Sequence, residues 1–313
     1  KLKLPPSKEY LGQEIDNIIE ACHIIGKQVL GGGLADLNVA QIKSYNKLVL
    51  KNLPLDEAVI PGEIRQHDVF VGRYKGAPPQ DCEFLVEGLC KWINSEIAVP
   101  QGYEIAFGII KAILAHIYIA WIHPFADGNG RTARLIEFQI LLGVGIPATA
   151  VHLLSNHYNQ TRSEYYRQLD IAHKSGGNIF PFLDYALRGF IDGLKEQIDA
   201  IKKQQMAVHW INYVHSIFKD RDSVTDLRRK RLVLDLAGQN APVPLAQVRY
   251  ITPRIAETYA RKTEKTVKRD INALKTMNLI EQDSGAIRAK QEVMLAFLSP
   301  IRKSKGPQAA NKD

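Results

Sequence analysis

The chain has 313 residues, which allows a substantial hydrophobic core and exceeds the length at which single cores usually stop growing, so we expect two domains. Its 45% hydrophobic and 24% charged residues are ordinary for a soluble globular protein. The three cysteines Cys22, Cys82 and Cys90 have no metal-binding spacing and argue against a disulfide framework, which favours a reducing, cytoplasmic location.

The net charge of +8 is unevenly distributed. Residues 225–313 contain 18 basic and 9 acidic side chains, whereas residues 1–224 carry a net charge of −1. A basic segment attached to a nearly neutral body is typical of a module that faces a polyanion.

The first part of the chain predicts a helical hairpin. Apolar residues recur at helical spacing over residues 10–30 and again over residues 38–53, and three consecutive glycines from Gly31 separate the two segments. We expect an N-terminal segment, residues 1–34, that packs against a core formed by residues 35–220.

The helical pattern breaks at about residues 65–79. Gly72 and Gly76 permit sharp turns, and Pro78 with Pro79 stops regular pairing, so the segment predicts a short exposed β-hairpin, which we call the flap. The exposed strand expected in the flap comprises His67, Asp68, Val69, Phe70 and Val71.

An almost unbroken apolar run, residues 104–122, precedes the segment HPFADGNGRTAR at 123–134. The run is nearly long enough to span a bilayer, yet it carries Glu104, Lys111 and His116. We therefore expect the buried central helix of an all-α bundle and no membrane association, with His116 as a core histidine.

The loop that follows has the residue types of an anion site. Asn129 between Gly128 and Gly130 allows successive backbone N–H groups to converge at the start of a helix near Arg131, where the helix dipole favours phosphate. Arg131 and Arg134 are three residues apart and share one side of its first turn.

Two further side chains give this anion site a chemistry. Asp127 is the only carboxylate in the loop, which suits Mg²⁺, because this ion usually takes one or two carboxylates together with water and substrate phosphates. His123 is the loop's only proton acceptor near neutral pH. The segment thus predicts phosphoryl or nucleotidyl transfer to a deprotonated nucleophile.

The segment HPFADGNGRTAR resembles the signature H-x-F-x-D/E-G-N-G-R-x-x-R of the Fic family and matches every defined position. PGEIR at 61–65, the flap and SNHYNQTRSEYYRQL at 155–169 follow the family's order, so the resemblance covers roughly residues 35–220. It implies an all-α Fic core with a β-hairpin flap, and transfer of AMP from ATP to a Ser, Thr or Tyr hydroxyl of a target protein.

The resemblance also implies roles for individual residues. The flap edge would hold an extended segment of the target through main-chain hydrogen bonds. The implied site consists of His123 as general base, Asp127 as Mg²⁺ ligand, Gly128, Asn129 and Gly130 as anion hole, Arg131 and Arg134 as phosphate clamps, Phe125 as an apolar anchor, and Tyr158, Tyr165 and Tyr166 as part of the wall around the adenine.

Alternatives to adenylylation stay open at this stage. The same fold could transfer phosphate or phosphocholine, remove AMP by activating water, or sense a nucleotide within a DNA-binding regulator. The inhibitory motif S/T-x-x-x-E-G/N that many Fic proteins carry has no convincing copy, because SKEYLG near Ser7 has the wrong spacing.

The last part of the chain, residues 221–303, predicts a winged helix-turn-helix domain, followed by a disordered tail at 304–313. Three short helices precede two potential strands joined at Gly285. The third helix would place Lys265, Thr266, Lys268 and Arg269 outward toward DNA. Such modules also serve as protein-interaction or dimerisation platforms, so a homodimer is possible.

Overall fold

The structure is a computed structural model that describes residues 8–32, 36–71 and 74–297. Contacts divide the chain into two compact units, Lys1–Lys195 and Glu196–Asp313. The division falls earlier than the boundary expected at residue 220, because Trp210, Val214 and Phe218 belong to the second hydrophobic core. The tail expected at 304–313 lies outside the described residues.

The first unit is a helical bundle, as the sequence predicts. A 3-10 turn at Pro79–Asp81 precedes its third helix, and a π-helical turn at Trp92–Glu96 follows it. The helices are α1 (Glu9–Leu30), α2 (Val39–Val49), α3 (Cys82–Lys91), α4 (Glu104–Ile122), α5 (Asn129–Gly143), α6 (Leu153–Gln160), α7 (Arg162–Lys174) and the first part of α8 (Phe180–Ile217).

Helix α4 lies at the centre of this bundle. Within the described part of the chain, it is the one helix long and apolar enough to cross a membrane. Half of this apolar segment is buried inside the protein, mainly against α5. Gly108 allows the close approach of Val144, since a Cβ there would lie 2.6 Å from the valine methyl groups. Ala21 and Ile25 of α1 are fully buried in the same core, so the N-terminal helix packs against it.

The flap is shorter than the sequence predicts. Strand β1 is Phe70–Val71 and pairs antiparallel with β2, Tyr74–Lys75, with Phe70 opposite Lys75. The expected strand over residues 67–71 was therefore too long. His67 lies outside the ladder because its carbonyl accepts a side-chain hydrogen bond from Arg65 instead. Asp68 pairs with Lys75 at 2.6 Å on the exposed surface.

The second unit contains the three helices and the strand pair expected after residue 223. Ser223 and Thr252 cap the first two helices by accepting hydrogen bonds from backbone N–H groups three residues later. A turn at Ser284 and Gly285 with left-handed backbone joins the last two strands. The elements are α9 (Val224–Ala237), β3 (Val243–Pro244), α10 (Pro253–Tyr259), α11 (Glu264–Thr276), β4 (Ile280–Asp283) and β5 (Ala286–Ala289), with strand order β3-β5-β4.

A buried ionic cluster ties the helices of the second unit together. Asp270 on α11 is only 1% exposed and accepts hydrogen bonds from Arg228 at 2.7 Å, Arg229 at 2.9 Å and the Tyr259 hydroxyl at 3.0 Å. Val267, Ile271, Leu274 and Leu279 are buried, as the sequence predicts.

Candidate active site

The signature segment forms a closed loop between α4 and α5. Helix α4 ends at Ile122 and is capped by His123, whose backbone is left-handed with φ 51°. The buried Asn129 then closes the loop: its amide nitrogen donates to the Phe125 carbonyl at 2.7 Å, and its amide oxygen accepts from the Phe125 N–H at 2.9 Å. Phe125 is 1% exposed and anchors the loop in the core. The Asn129 side chain therefore shapes the loop and is occupied within it.

Gly128 opens helix α5 in a conformation that disfavours other residues. Its φ is +79°, and an added Cβ would lie 2.9 Å from the Asn46 side-chain nitrogen and 3.2 Å from Leu50. Asn46 donates to the Asp127 carbonyl at 2.8 Å and accepts from the Gly62 N–H at 2.9 Å. A Cβ at Gly130 would meet nothing within 4 Å, so the first turn of α5 has open space beside it.

This open helix end has the properties of an anion cradle. No side chain of the described residues caps α5, so the N–H groups of its first turn remain available together with the positive end of the helix dipole. Arg134 lies one turn further on, and its buried Nε has no hydrogen-bond partner among the described residues. An unpaired buried guanidinium donor is costly, and an anion would satisfy it.

Arg131 is held by two carboxylates. Its Nη1 donates to Glu14 of α1 at 2.7 Å, and its Nη2 donates to Asp127 at 3.1 Å. The side chains are partly shielded, with 19% of Arg131 and 31% of Glu14 exposed. Arg131 therefore has to exchange at least one carboxylate for phosphate before it can clamp a nucleotide.

His123 is held in a form suited to accept a proton. Burial lowers its pKa below the ordinary value of 6.5, and the nearby Arg65 lowers it further, whereas the Ala120 carbonyl and Asp127 raise it. Nδ1 lies 3.3 Å from the Ala120 carbonyl oxygen. A proton on Nδ1 directed at this oxygen leaves the lone pair of Nε2 free to act as a base.

Asp127 fits the part of a magnesium ligand. Half of its side chain is exposed, and its two oxygens accept from the Gly128 N–H and from Arg131. No group of three or more His, Cys, Asp or Glu side chains in the described ranges could hold a metal ion by itself. A single accessible carboxylate beside an anion cradle is compatible with Mg²⁺, which takes its other ligands from water and phosphate oxygens.

The base of the flap is attached to the end of α4. The Ala77 N–H donates to the Ile122 carbonyl at 3.2 Å, and the Tyr74 hydroxyl donates to the Trp121 carbonyl. His67, Asp68 and Phe70 are exposed, with 67% of Phe70 accessible, while Val69 is partly buried and its carbonyl accepts from the Gly76 N–H. The side chain of Val71 lies outside the described residues.

The tyrosines expected around the adenine occupy different environments. Tyr158 is 1% exposed, and its hydroxyl donates to Glu137 at 3.0 Å, so it is a core residue rather than a ligand wall. Tyr165 is also buried and hydrogen-bonds His116 at 2.8 Å, which makes His116 the core histidine that the sequence predicts. Tyr166 is 46% exposed and remains accessible.

In the second unit, the four residues expected to face DNA lie in the first half of α11, and three of them are exposed. Lys265, Lys268 and Arg269 are exposed, and Thr266 is partly buried, with its hydroxyl 3.3 Å from that of Thr263.

The segment that holds the loop, the cradle and the flap is similar to known proteins. Residues 36–141 match the Fic/DOC family. The matched segment contains the flap and the signature segment, so the resemblance inferred from HPFADGNGRTAR is confirmed over residues 36–141.

Curated relatives of the Fic segment are named protein adenylyltransferases. The chain is 30% identical to protein adenylyltransferase fic-1 of Caenorhabditis elegans over 167 residues, which is 53% of this chain and 30% of that protein. It is 32% identical to protein adenylyltransferase Fic of Drosophila melanogaster over 153 residues, 48% of this chain and 27% of that protein. The chain thus spans about 30% of the length of these relatives.

Solved structures share the mostly helical Fic fold. A Fic family protein from Desulfovibrio desulfuricans superposes with a TM-score of 0.51 at 17% identity over 92% of this chain and 77% of that one. Fic-1 from C. elegans, residues 134–508, gives a TM-score of 0.51 at 24% identity over 65% of this chain and 56% of that one.

Three residues that build the site were not predicted from the sequence. Glu14, Asn46 and Arg65 contact the loop from positions 117, 81 and 58 residues away. Arg65 lies in the segment PGEIR, which the sequence identified only by its similarity to the Fic family and not as part of the site. Glu14 pairs with Arg131, the first arginine of the signature.

Proposed function

We propose that this protein is an adenylyltransferase that moves AMP from ATP to a hydroxyl side chain of a target protein. The observation that carries the proposal is the uncapped start of α5, followed one turn later by the unpaired, buried Nε of Arg134. No side chain of the described residues accepts a hydrogen bond from these donors. The phosphate groups of a nucleotide would accept from them. The names of the curated relatives support the same reaction.

The proposed reaction uses His123 as the base. Its Nε2 takes the proton of the target hydroxyl, and the resulting oxygen attacks the α-phosphorus of ATP. A new P–O bond to the target forms, the bond to the β-phosphate breaks, and pyrophosphate leaves. The N–H groups at the start of α5, with Arg131 and Arg134, stabilise the charge that builds up on the phosphate oxygens.

Asp127 is the proposed ligand of Mg²⁺ at this site. When bound, the ion neutralises phosphate charge and orients the leaving group. The flap contributes the other substrate: its exposed β1 edge would add a strand of the target and so hold the acceptor hydroxyl near His123. We also assign the protein to the cytoplasm, which fits its free cysteines Cys22, Cys82 and Cys90.

The proposal is tested by incubating the protein with Mg²⁺ and ATP labelled at the α-phosphate, alone and with cell extract. Label on protein, together with a mass increase of one AMP in any self-modified chain, is the expected result. His123→Ala should abolish labelling while leaving the circular dichroism spectrum unchanged. Label transferred only from the γ-phosphate would replace adenylylation by phosphorylation, and release of AMP from pre-modified protein would indicate removal of AMP by hydrolysis.

For the second unit we propose a winged-helix DNA-binding module. The support is the exposed cationic stretch of α11, Lys265, Lys268 and Arg269, and the basic excess of residues 225–313. A filter-binding assay with random duplex DNA should give affinity that falls steeply with salt. Replacing Lys268 and Arg269 by alanine should reduce the salt slope by roughly one unit for each phosphate that is no longer neutralised. DNA binding that does not change with salt, or binding to other proteins without binding to DNA, would indicate a protein-interaction module instead.

A further inference from the structure

Arg65 joins the two halves of the candidate active site through main-chain acceptors. Its side chain is buried, with 3% of the residue exposed. Nε donates to the His123 carbonyl at 2.7 Å, Nη1 to the His67 carbonyl at 2.6 Å, and Nη2 to the Ala77 carbonyl at 2.5 Å. Nη2 also lies 3.4 Å from the Ile122 carbonyl oxygen. One planar group therefore binds both sides of the flap base and the residue that carries the imidazole.

The backbone of Arg65 reinforces this connection. Its N–H donates to the Pro124 carbonyl at 3.0 Å, directly after His123. The described hydrogen-bond acceptors of the Arg65 side chain are main-chain carbonyl oxygens and include no carboxylate. The guanidinium is instead surrounded by carbonyl oxygens, an arrangement that uses its fork of fixed donors rather than its charge alone. A lysine offers donors from a single point and cannot reach all of these acceptors.

His123 depends on such support because its backbone is left-handed. A non-glycine residue with φ 51° is held in place only when its surroundings determine that conformation. The carbonyl that Arg65 grips belongs to this residue. Gly76 completes the joint, since an added Cβ would lie 2.8 Å from Arg65 Nη2 and 3.1 Å from His123 Cβ. The flap can lie this close to the histidine only because residue 76 has no side chain.

We propose that Arg65 is a positioning residue that couples the flap to His123, so that a target strand held on the flap and the base that deprotonates its hydroxyl keep one fixed geometry. The inference rests on the proposed adenylyl transfer and deepens it. Arg65 acts through His123 and the flap, because the acceptors of its side chain are main-chain carbonyl oxygens of these two parts.

The coupling predicts a kinetic pattern that simple destabilisation would not produce. In Arg65→Lys the anion cradle is untouched, so ATP affinity measured by calorimetry should stay unchanged. The turnover of AMP transfer to protein should fall about 100-fold, the loss expected when reacting groups shift by roughly 1 Å. Gly76→Ala keeps the guanidinium but forces the flap away from it, and turnover should fall at least about tenfold.

Two matched variants control for general effects of the substitutions. Arg228→Lys changes another buried arginine, in the second unit, and Gly88→Ala adds a methyl group on α3 where nothing lies within 4 Å. Both should transfer AMP at the wild-type rate. If Arg65→Lys does not fold, Gly76→Ala decides alone, and normal turnover in that variant overturns the proposal. Parallel loss of ATP binding and turnover in Arg65→Lys would also overturn it.

Hydrogen exchange separates this inference from the proposed function. The amides of Gly76 and Ala77 donate to the Val69 and Ile122 carbonyls, and loss of the Arg65 fork should speed their exchange while the amides of central α4 stay protected. If the wild-type protein transfers no AMP but Arg65→Lys still speeds exchange of these amides, the enzymatic proposal fails and the coupling stands. Unchanged exchange and turnover in Arg65→Lys would remove the coupling and keep the enzyme.

Discussion

The contact between Glu14 and Arg131 predicts that a substitution in the N-terminal helix strengthens nucleotide binding. Nη1 of Arg131 donates to Glu14 and has to leave this carboxylate when it takes a phosphate oxygen, so the ion pair opposes ATP in the free protein. Glu14→Gln removes the charge and keeps the shape of the side chain. Asp127 continues to orient Arg131 from the other side, so the clamp should stay in place.

The magnitude follows from the exposure of this pair. The atoms lie 2.7 Å apart, but 19% of Arg131 and 31% of Glu14 remain in contact with solvent. Pairs of this kind contribute about 1 kcal/mol after desolvation and side-chain ordering are included. Release of about 1 kcal/mol corresponds to roughly fivefold tighter ATP binding. The gain should shrink as salt screens the pair in the wild-type protein.

Isothermal titration with ATP and Mg²⁺ measures the effect, and Glu20→Gln is the matched control. Glu20 also lies on α1 and pairs with a lysine, Lys51, at 2.8 Å, but it does not touch the signature loop. Its substitution should leave ATP affinity unchanged. Equal affinities for wild type and Glu14→Gln, or weaker binding in the variant, would refute the competition between Glu14 and phosphate.

Three more predictions follow from the site and the second core. Because burial lowers the pKa of His123 and the base must be neutral, AMP transfer should persist below pH 6.5 and disappear only as the pH falls through the lowered value; a pH–rate midpoint above 6.5 would contradict this. Gly128→Ala should destabilise the first unit by about 1–3 kcal/mol in chemical denaturation, whereas Gly143→Ala in the same helix should not; equal effects would exclude strain at φ +79°. Asp270→Asn should cost the second unit about 3–5 kcal/mol by leaving Arg228 without a buried counter-charge, and an unchanged thermal midpoint would refute that role.

The parts of the protein that depend on local chemistry could be predicted from the sequence. The apolar run before His123 specified a buried helix, and the glycines of the signature specified a loop that opens a new helix. The family signature then assigned a role to each position in this loop. In the second unit, helical spacing alone separated the buried face of α11, including Val267, from its exposed basic face.

The parts of the protein that depend on contacts between residues far apart in the chain could not be predicted from the sequence. Arg65 meets the signature loop across 58 residues and Glu14 meets it across 117, and neither separation leaves a local pattern. Tyr158 and Tyr166 both lie in helical segments, and their spacing does not reveal that one hydroxyl satisfies the buried Glu137. The flap strand was predicted too long because alternation continues to His67, whereas that carbonyl is taken by a side chain.

Among the described residues, the Arg65 side chain binds the flap through the carbonyl oxygens of His67 and Ala77. Every amino acid supplies such an oxygen, so the segment between these two anchors can be rewritten without altering what the guanidinium holds, provided that residue 76 stays a glycine. A library of exchanged hairpin sequences would therefore be a practical route to redirecting the protein toward new acceptor proteins while its nucleotide chemistry stays intact.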